Sequence, residues 1–139
     1  MLVQLIYASV VADSSAAAVD TILAQGRRHN EERGITGVLC HGYGVFLQAI
    51  EGERAAVNQT YAQVLRDARH RDAQLLYFGE ICERNFSNWW LGQVRLEKLS
   101  PPFVLKYVER LPLTPGQLCG TSARAMVLDL VATAAVAHR

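Results

Sequence analysis

No apolar run in this 139-residue chain reaches membrane-spanning length, and the C-terminal one is broken by Asp129. Cysteine is scarce. Cys40, Cys82 and Cys119 are odd in number and have neither disulfide-framework nor metal-ligand spacing. That usage points to a reduced, cytoplasmic setting. His29, His41, His70 and His138 share no element at ligand spacing, so no metal site is expected. Lys and Arg number 14 against 13 acidic residues, a net charge of +1, and are scattered rather than striped. A nucleic-acid surface usually shows a basic patch, so no nucleic-acid partner is expected. A GxGxxG fingerprint is missing, as is any Cys–His catalytic arrangement. No signal peptide is expected ahead of the first strand, because Leu2 already belongs to it.

What the chain does have is apolar residues, which make up 50% of it, enough for one domain with a sizeable core. The stretch from Leu2 to Val10 is uncharged and nearly all apolar or small, and it reads as a central strand buried on both faces. Alternation places Val3, Leu5, Tyr7 and Ser9 on one face and Leu2, Gln4, Ile6, Ala8 and Val10 on the other. Tyr7 therefore offers a phenol from the middle of a core strand, and a buried hydroxyl needs a partner.

Asp13-Ser14-Ser15 supplies N-cap candidates for a helix that runs through Val19, Ile22 and Leu23 to Arg33, with Gly34 as its stop. Its polar end, Arg27 to Arg33, reads as solvated unless the fold turns Asn30 over a pocket. Ile35 to Cys40 and Val45 to Ile50 read as a hairpin around His41-Gly42-Tyr43-Gly44. Gln48 shares a face there with Phe46 and Ile50. Left unpaired, its buried amide would cost about 1–3 kcal/mol. Either it bonds backbone as a structural amide, or it reads a ligand, since Gln carries both donor and acceptor and can exchange them by rotating.

Val57, Tyr61, Val64, Leu65 and Ala68 predict the apolar face of a second helix. A fourth strand is expected from Ala73 to Ile81 and a fifth from Leu91 to Leu96. Two further helices follow, Phe103 to Leu111 and roughly Gly116 to Ala137. The order β-α-β-β-α-β-β predicts an α+β, ferredoxin-like sandwich: a five-stranded mixed sheet with two helices on one face, plus C-terminal helices. The first and third strands are expected as parallel neighbours, with Tyr7 beside Gln48. The first strand is also expected beside the fifth.

Five stretches together resemble a known family. They are Leu5-Ile6-Tyr7-Ala8-Ser9, Arg28-His29-Asn30 with Gly34-Ile35-Thr36-Gly37-Val38-Leu39, Phe46-Leu47-Gln48-Ala49-Ile50-Glu51-Gly52, Arg69-His70, and Phe86-Ser87-Asn88-Trp89. Each is weak alone. The ordered set resembles the BLUF domain, a blue-light sensor that uses FAD. The resemblance covers residues 1–97 and leaves 98–139 as a helical extension. It implies a photoreceptor rather than an enzyme, with FAD, or FMN as the alternative, held between the first two helices. By the family pattern Tyr7 bonds Gln48, Gln48 bonds the flavin, and Asn30 holds the pyrimidine edge. Arg69 and His70 lie at the flavin's polar side, Ile22 packs along the ring, and Ser9 neighbours the switch.

Trp89 matches the family's switch-coupled aromatic, although core packing is the plainer reading of it. Leu91 stands where the family commonly has methionine, which puts the output route in question. In the extension, Met126, Val127, Leu130, Val131 and Ala134 form an apolar stripe, widened by Leu128, Ala132 and Ala135. Such a stripe covers the chain's own sheet or serves a homo-oligomer. With no output domain expected after it, the sensor would signal through a separate, light-dependent protein partner. Two rivals stand beside this reading: a flavin enzyme with turnover, and a flavin-free ferredoxin-like interaction module.

Overall fold

Almost no side chain between Leu2 and Val11 reaches water, and the reason is visible on either side of it. In the computed structural model, which describes residues 1–133 and Val136, this first strand (β1, Leu2–Val11) lies inside a five-stranded sheet. The other strands are β2 (Thr36–Gly42), β3 (Val45–Glu53), β4 (His70–Glu80) and β5 (Gly92–Arg95), in spatial order β4-β1-β3-β2-β5. Helices α1 (Ala16–Arg33) and α2 (Arg54–Arg66) follow β1 and β3; α3 (Pro101–Leu105) and α4 (Gly120–Ala132) follow β5. The fold is the expected α+β sandwich.

The caps of α1 are where the sequence puts them. Ser15 is the N-cap and accepts from the Ala18 amide, and Gly34 closes the helix at φ 68°, a conformation glycine adopts without strain. Val3, Leu5 and Tyr7 pack with Ile35, Ile50 and Val57 on the face of α1 and α2. Ile6 and Ala8 point the other way, into a core shared with Leu47, Met126, Val127 and Leu130. The stripe of α4 therefore covers the molecule's own sheet and is not a free surface for a second copy. Each fully buried side chain of that size contributes about 1.5–3 kcal/mol. Ala134 and Ala135, the last residues of the expected stripe, and Ala137, the end of the expected helix, lie outside the described residues, as does His138.

Two expectations about strand neighbours need correcting. β1 and β3 are adjacent but antiparallel, with Tyr7 opposite Gln48. The α1 crossover brings β2 parallel to β1, and the hairpin then reverses the chain, so β3 must oppose both. β5 does not lie beside β1. It pairs in parallel with β2, Val38 to His41 against Gly92 to Arg95, at the far edge of the sheet. In α2, Leu65 is 57% exposed, because it falls beyond the stripe that Val57, Tyr61 and Val64 direct at the sheet, and Ala68 lies past the helix end. α3 is shorter than expected, and α4 starts at Gly120 rather than Gly116.

One buried polar cluster ties the α4 face together. Gln4 and Glu51 are both fully buried and sit opposite each other in the β1/β3 register. Gln4 Nε2 donates to Glu51 Oε2 at 2.8 Å. The same carboxylate accepts from the Asn85 amide at 2.7 Å, the Phe86 amide at 2.8 Å and Asn85 Nδ2 at 2.9 Å. Arg124 of α4 donates through Nε to Gln4 Oε1 at 3.0 Å. A buried carboxylate is tolerated when its lone pairs are filled in this way.

The three thiols sit in contrasting environments. Burial pushes Cys40 up to about 12, while hydroxyl and backbone bonds at Ser122 and Thr121 lower the exposed Cys119 to about 7. The thiolate is the reactive form and grows as pH rises through the thiol's pKa. Iodoacetamide mapping by mass spectrometry should therefore label Cys119 with half-maximal rate near pH 7 and leave Cys40 unmodified in the folded protein.

Candidate functional site

A cleft of about 630 Å³, counted to its open mouth, lies between the sheet and the two helices that follow β1 and β3. Its floor is made by Tyr7, Leu39 and Gln48 from β1, β2 and β3. Ile22, Gly26 and Asn30 of α1, one turn apart, form one wall, and Thr60, Gln63 and Val64 of α2 form another. Gln25, His29, Arg33, Asp67, Arg69, His70 and Leu91 also line it.

At the floor the Tyr7 hydroxyl donates to Gln48 Oε1. Burial, reinforced by Tyr61 and Asp67, holds the Tyr7 phenol far above the ordinary phenol range. Tyr7 therefore keeps its proton at any working pH. With Oε1 occupied, Gln48 has its amide N–H groups left, and among the described residues no acceptor takes them. The buried amide thus has the partner its burial demands on one side and donors for a cleft occupant on the other.

His70 borders the cleft with its Nδ1 3.0 Å from Ser9 Oγ. Its ring lies 5.0 Å from that of Phe46 and 6.1 Å from that of Tyr7. Burial lowers its pKa, with Arg69 adding to the effect and Asp67 opposing it, so the ring is neutral at pH 7. Ser9 does not line the cleft and reaches it only through His70. Arg69 is held by Asp67, Nε at 3.0 Å and Nη2 at 2.7 Å, and its Nη1 donates to Gln25 Oε1 at 2.8 Å. It fastens the start of β4 to α1.

Asn30 is buried at the end of α1, and its Nδ2 donates to the Trp90 carbonyl at 2.6 Å. Three residues earlier, Arg27 Nε donates to the Leu91 carbonyl at 3.1 Å. Two α1 side chains thus hold the backbone just ahead of β5. Gly26 lets the helix come this close, since a Cβ there would sit 2.8 Å from Leu91 Cδ2. Leu91 turns into the cleft. Trp89 does not line it, and packs instead with Phe86 in the core on the α4 side, where its indole N–H has no partner among the described residues. Trp90 is largely exposed.

Sequence reasoning named Tyr7, Gln48, Asn30, Ile22, Arg69, His70 and Leu91, and all seven line one cleft. Among those it missed are Gly26, Arg33, Leu39, Thr60 and Gln63. The α1 pair fall at helical spacing from Ile22 and Asn30, a signal that was present but looked like an ordinary solvated face.

The model of one protein family, described as sensors of blue light using FAD, matches residues 2–92. Photoactivated adenylate cyclase subunit beta of Euglena gracilis is 33% identical over 87 residues, which is 60% of this chain and 10% of that protein. The chain thus spans about a tenth of that curated relative. Among solved structures, BlsA in its photo-activated state is 26% identical with a TM-score of 0.83, covering 94% of this chain and 95% of that one. The dark-state structure of BlrB, a BLUF protein, is 28% identical with a TM-score of 0.79 and covers 96% of each chain. A bacterial light-regulated adenylyl cyclase is 30% identical with a TM-score of 0.69, and the match takes in 31% of that chain. With a cleft floored by a tyrosine–glutamine pair, and with a family match running through every residue that lines it, this chain belongs to the BLUF family of blue-light sensors.

Proposed function

We propose that the chain is a flavin-based light switch in which Tyr7 and Gln48 are the moving parts, and that it signals by changing its affinity for a separate protein partner. The observation that carries this reading is the Tyr7–Gln48 hydrogen bond at the floor of the cleft, which leaves the amide N–H groups uncommitted.

The donor set fits a flavin. Isoalloxazine is a flat, mostly apolar ring with one edge of alternating donors and acceptors. Ile22, Leu39, Val64 and Leu91 supply apolar wall, and Gln48 and Asn30 supply two amides. One Asn30 N–H is engaged with Trp90, and its oxygen is placed to accept an N–H from the ring edge. When bound and excited by blue light, a flavin supplies a strong, short-lived oxidant. Tyr7 would be the residue to yield an electron and then its phenolic proton to that oxidant, and Gln48 the one to relay the proton. With electron and proton restored to Tyr7, Gln48 would be left rotated or tautomerised, with donor and acceptor exchanged. Phenylalanine or leucine could do neither, having no exchangeable proton. His70 stays neutral beside Ser9 and adds no competing charge.

The change is then read at the backbone that Asn30 and Arg27 hold. Leu91 touches the cleft, and β5 begins at the next residue. Leucine fills a volume like methionine's without its flexibility, so the route outward depends on this backbone rather than on a pliable side chain. FAD is the cofactor we favour, with FMN able to supply the same ring.

An absorption spectrum before and after blue light tests the reading: a small, reversible red shift of the flavin band is expected. A colourless protein that takes up no flavin, or steady NAD(P)H oxidation, would overturn it. Tyr7→Phe should retain bound flavin and lose the red shift, and a normal shift in that variant would exclude the Tyr7 mechanism. Asn30→Ala removes both a ring-edge acceptor and the donor to Trp90, so flavin affinity should fall about tenfold and stability by about 1–2 kcal/mol in urea titration.

A further inference from the structure

We infer that Arg33 makes the cleft selective for flavins bearing a phosphate; this rests on the flavin reading above. Two guanidinium groups border the cleft, Arg33 and Arg69. They are in opposite electrical states.

Arg69 is spent. Its charge is matched by the Asp67 carboxylate, bonded through Nε and Nη2, and its remaining Nη1 is taken by Gln25. A guanidinium so paired offers little net field to an anion. Arg33 lies in the last turn of α1, half-buried, and forms no ion pair among the described residues. Its hydrogen-bond partner is a neutral hydroxyl: Nη1 donates to Thr60 Oγ1 at 3.2 Å, while that hydroxyl gives its own proton to the Ala56 carbonyl at 3.0 Å. Nε and Nη2 have no acceptor among the described residues. Arg33 therefore reaches from α1 to α2 at the border of the cleft with its charge uncompensated.

That arrangement suits a phosphate. A planar fork with spare N–H groups takes phosphate oxygens in pairs, and a bond between two charged groups is stronger and shorter than one to a hydroxyl. A flavin's phosphate is joined to its ring through a polyol chain, which His29 and Gln63, also lining the cleft, can meet with hydrogen bonds. Arg33 would exchange Thr60 for the phosphate, at the cost of one weak contact. Riboflavin, with the same ring and polyol but no phosphate, has nothing to offer this residue.

The test uses the full chain stripped of flavin and titrated with riboflavin, FMN and FAD, read by quenching of flavin fluorescence. The native protein should bind FMN and FAD about tenfold more tightly than riboflavin at low salt, and rising salt should shrink that advantage. Arg33→Gln should erase the advantage while leaving riboflavin affinity within about twofold. Arg33→Lys should keep part of it, and Thr60→Val, which spares the charge, should keep it whole. An FMN advantage that survives in Arg33→Gln overturns the inference, as does a native protein with no preference. Equal weakening of all three flavins in Arg33→Gln overturns it too, since that marks a purely structural bridge to Thr60. Failure of the native protein to bind even riboflavin would instead overturn the flavin reading itself.

Discussion

A strand covered on both faces leaves its polar side chains nowhere to go but to each other. β1 carries two large polar side chains in its buried middle, Gln4 and Tyr7, and β3 answers each directly across the ladder with Glu51 and Gln48. The spacing of three residues puts one pair on the α4 face and the other on the cleft face. A slip of one residue between the strands would unpair both at once and send every apolar neighbour to the wrong side. Unsatisfied buried groups cost about 1–3 kcal/mol each, and more when charged. The register is thus held from two sides, and the cleft, the α4 core and the loop bound to Glu51 all inherit their positions from it.

The helices extend the same economy of polar groups. Asn30 and Arg27 satisfy the carbonyls of Trp90 and Leu91, where no strand ladder exists to do so. Buried carbonyls outside regular structure need such partners. Because those partners stand on α1, the segment leading into β5 is held by the cleft wall rather than by the sheet alone.

Much of this was readable beforehand, for specific reasons. The alternation in β1 revealed both buried faces, and Ser15 and Gly34 bounded α1 because capping chemistry is local. Tyr7 beside Gln48 followed from topology, and the seven cleft residues followed from family resemblance. Strand direction was misjudged although the chain order contained the answer. Trp89 and Leu91 were harder. Residues two apart share a face only within a strand, and β5 starts at Gly92, so alternation says nothing about that pair. Arg33, Thr60 and Gln63 were hidden because a polar residue on a helix looks the same whether it faces water or a cofactor's mouth. The destination of the α4 stripe was also open, since an apolar face does not say what covers it.

Arg124 gives that last helix a property that apolar packing lacks. Side chains such as Met126 and Leu130 fix how deeply α4 sits on the sheet, but greasy surfaces resist rotation about the helix axis only weakly. A hydrogen bond is directional, and the one from Arg124 Nε to Gln4 Oε1 sets the azimuth of α4 against a single residue of β1. The cover is therefore keyed as well as seated, and its angular setting is indexed to the same strand that bears Tyr7.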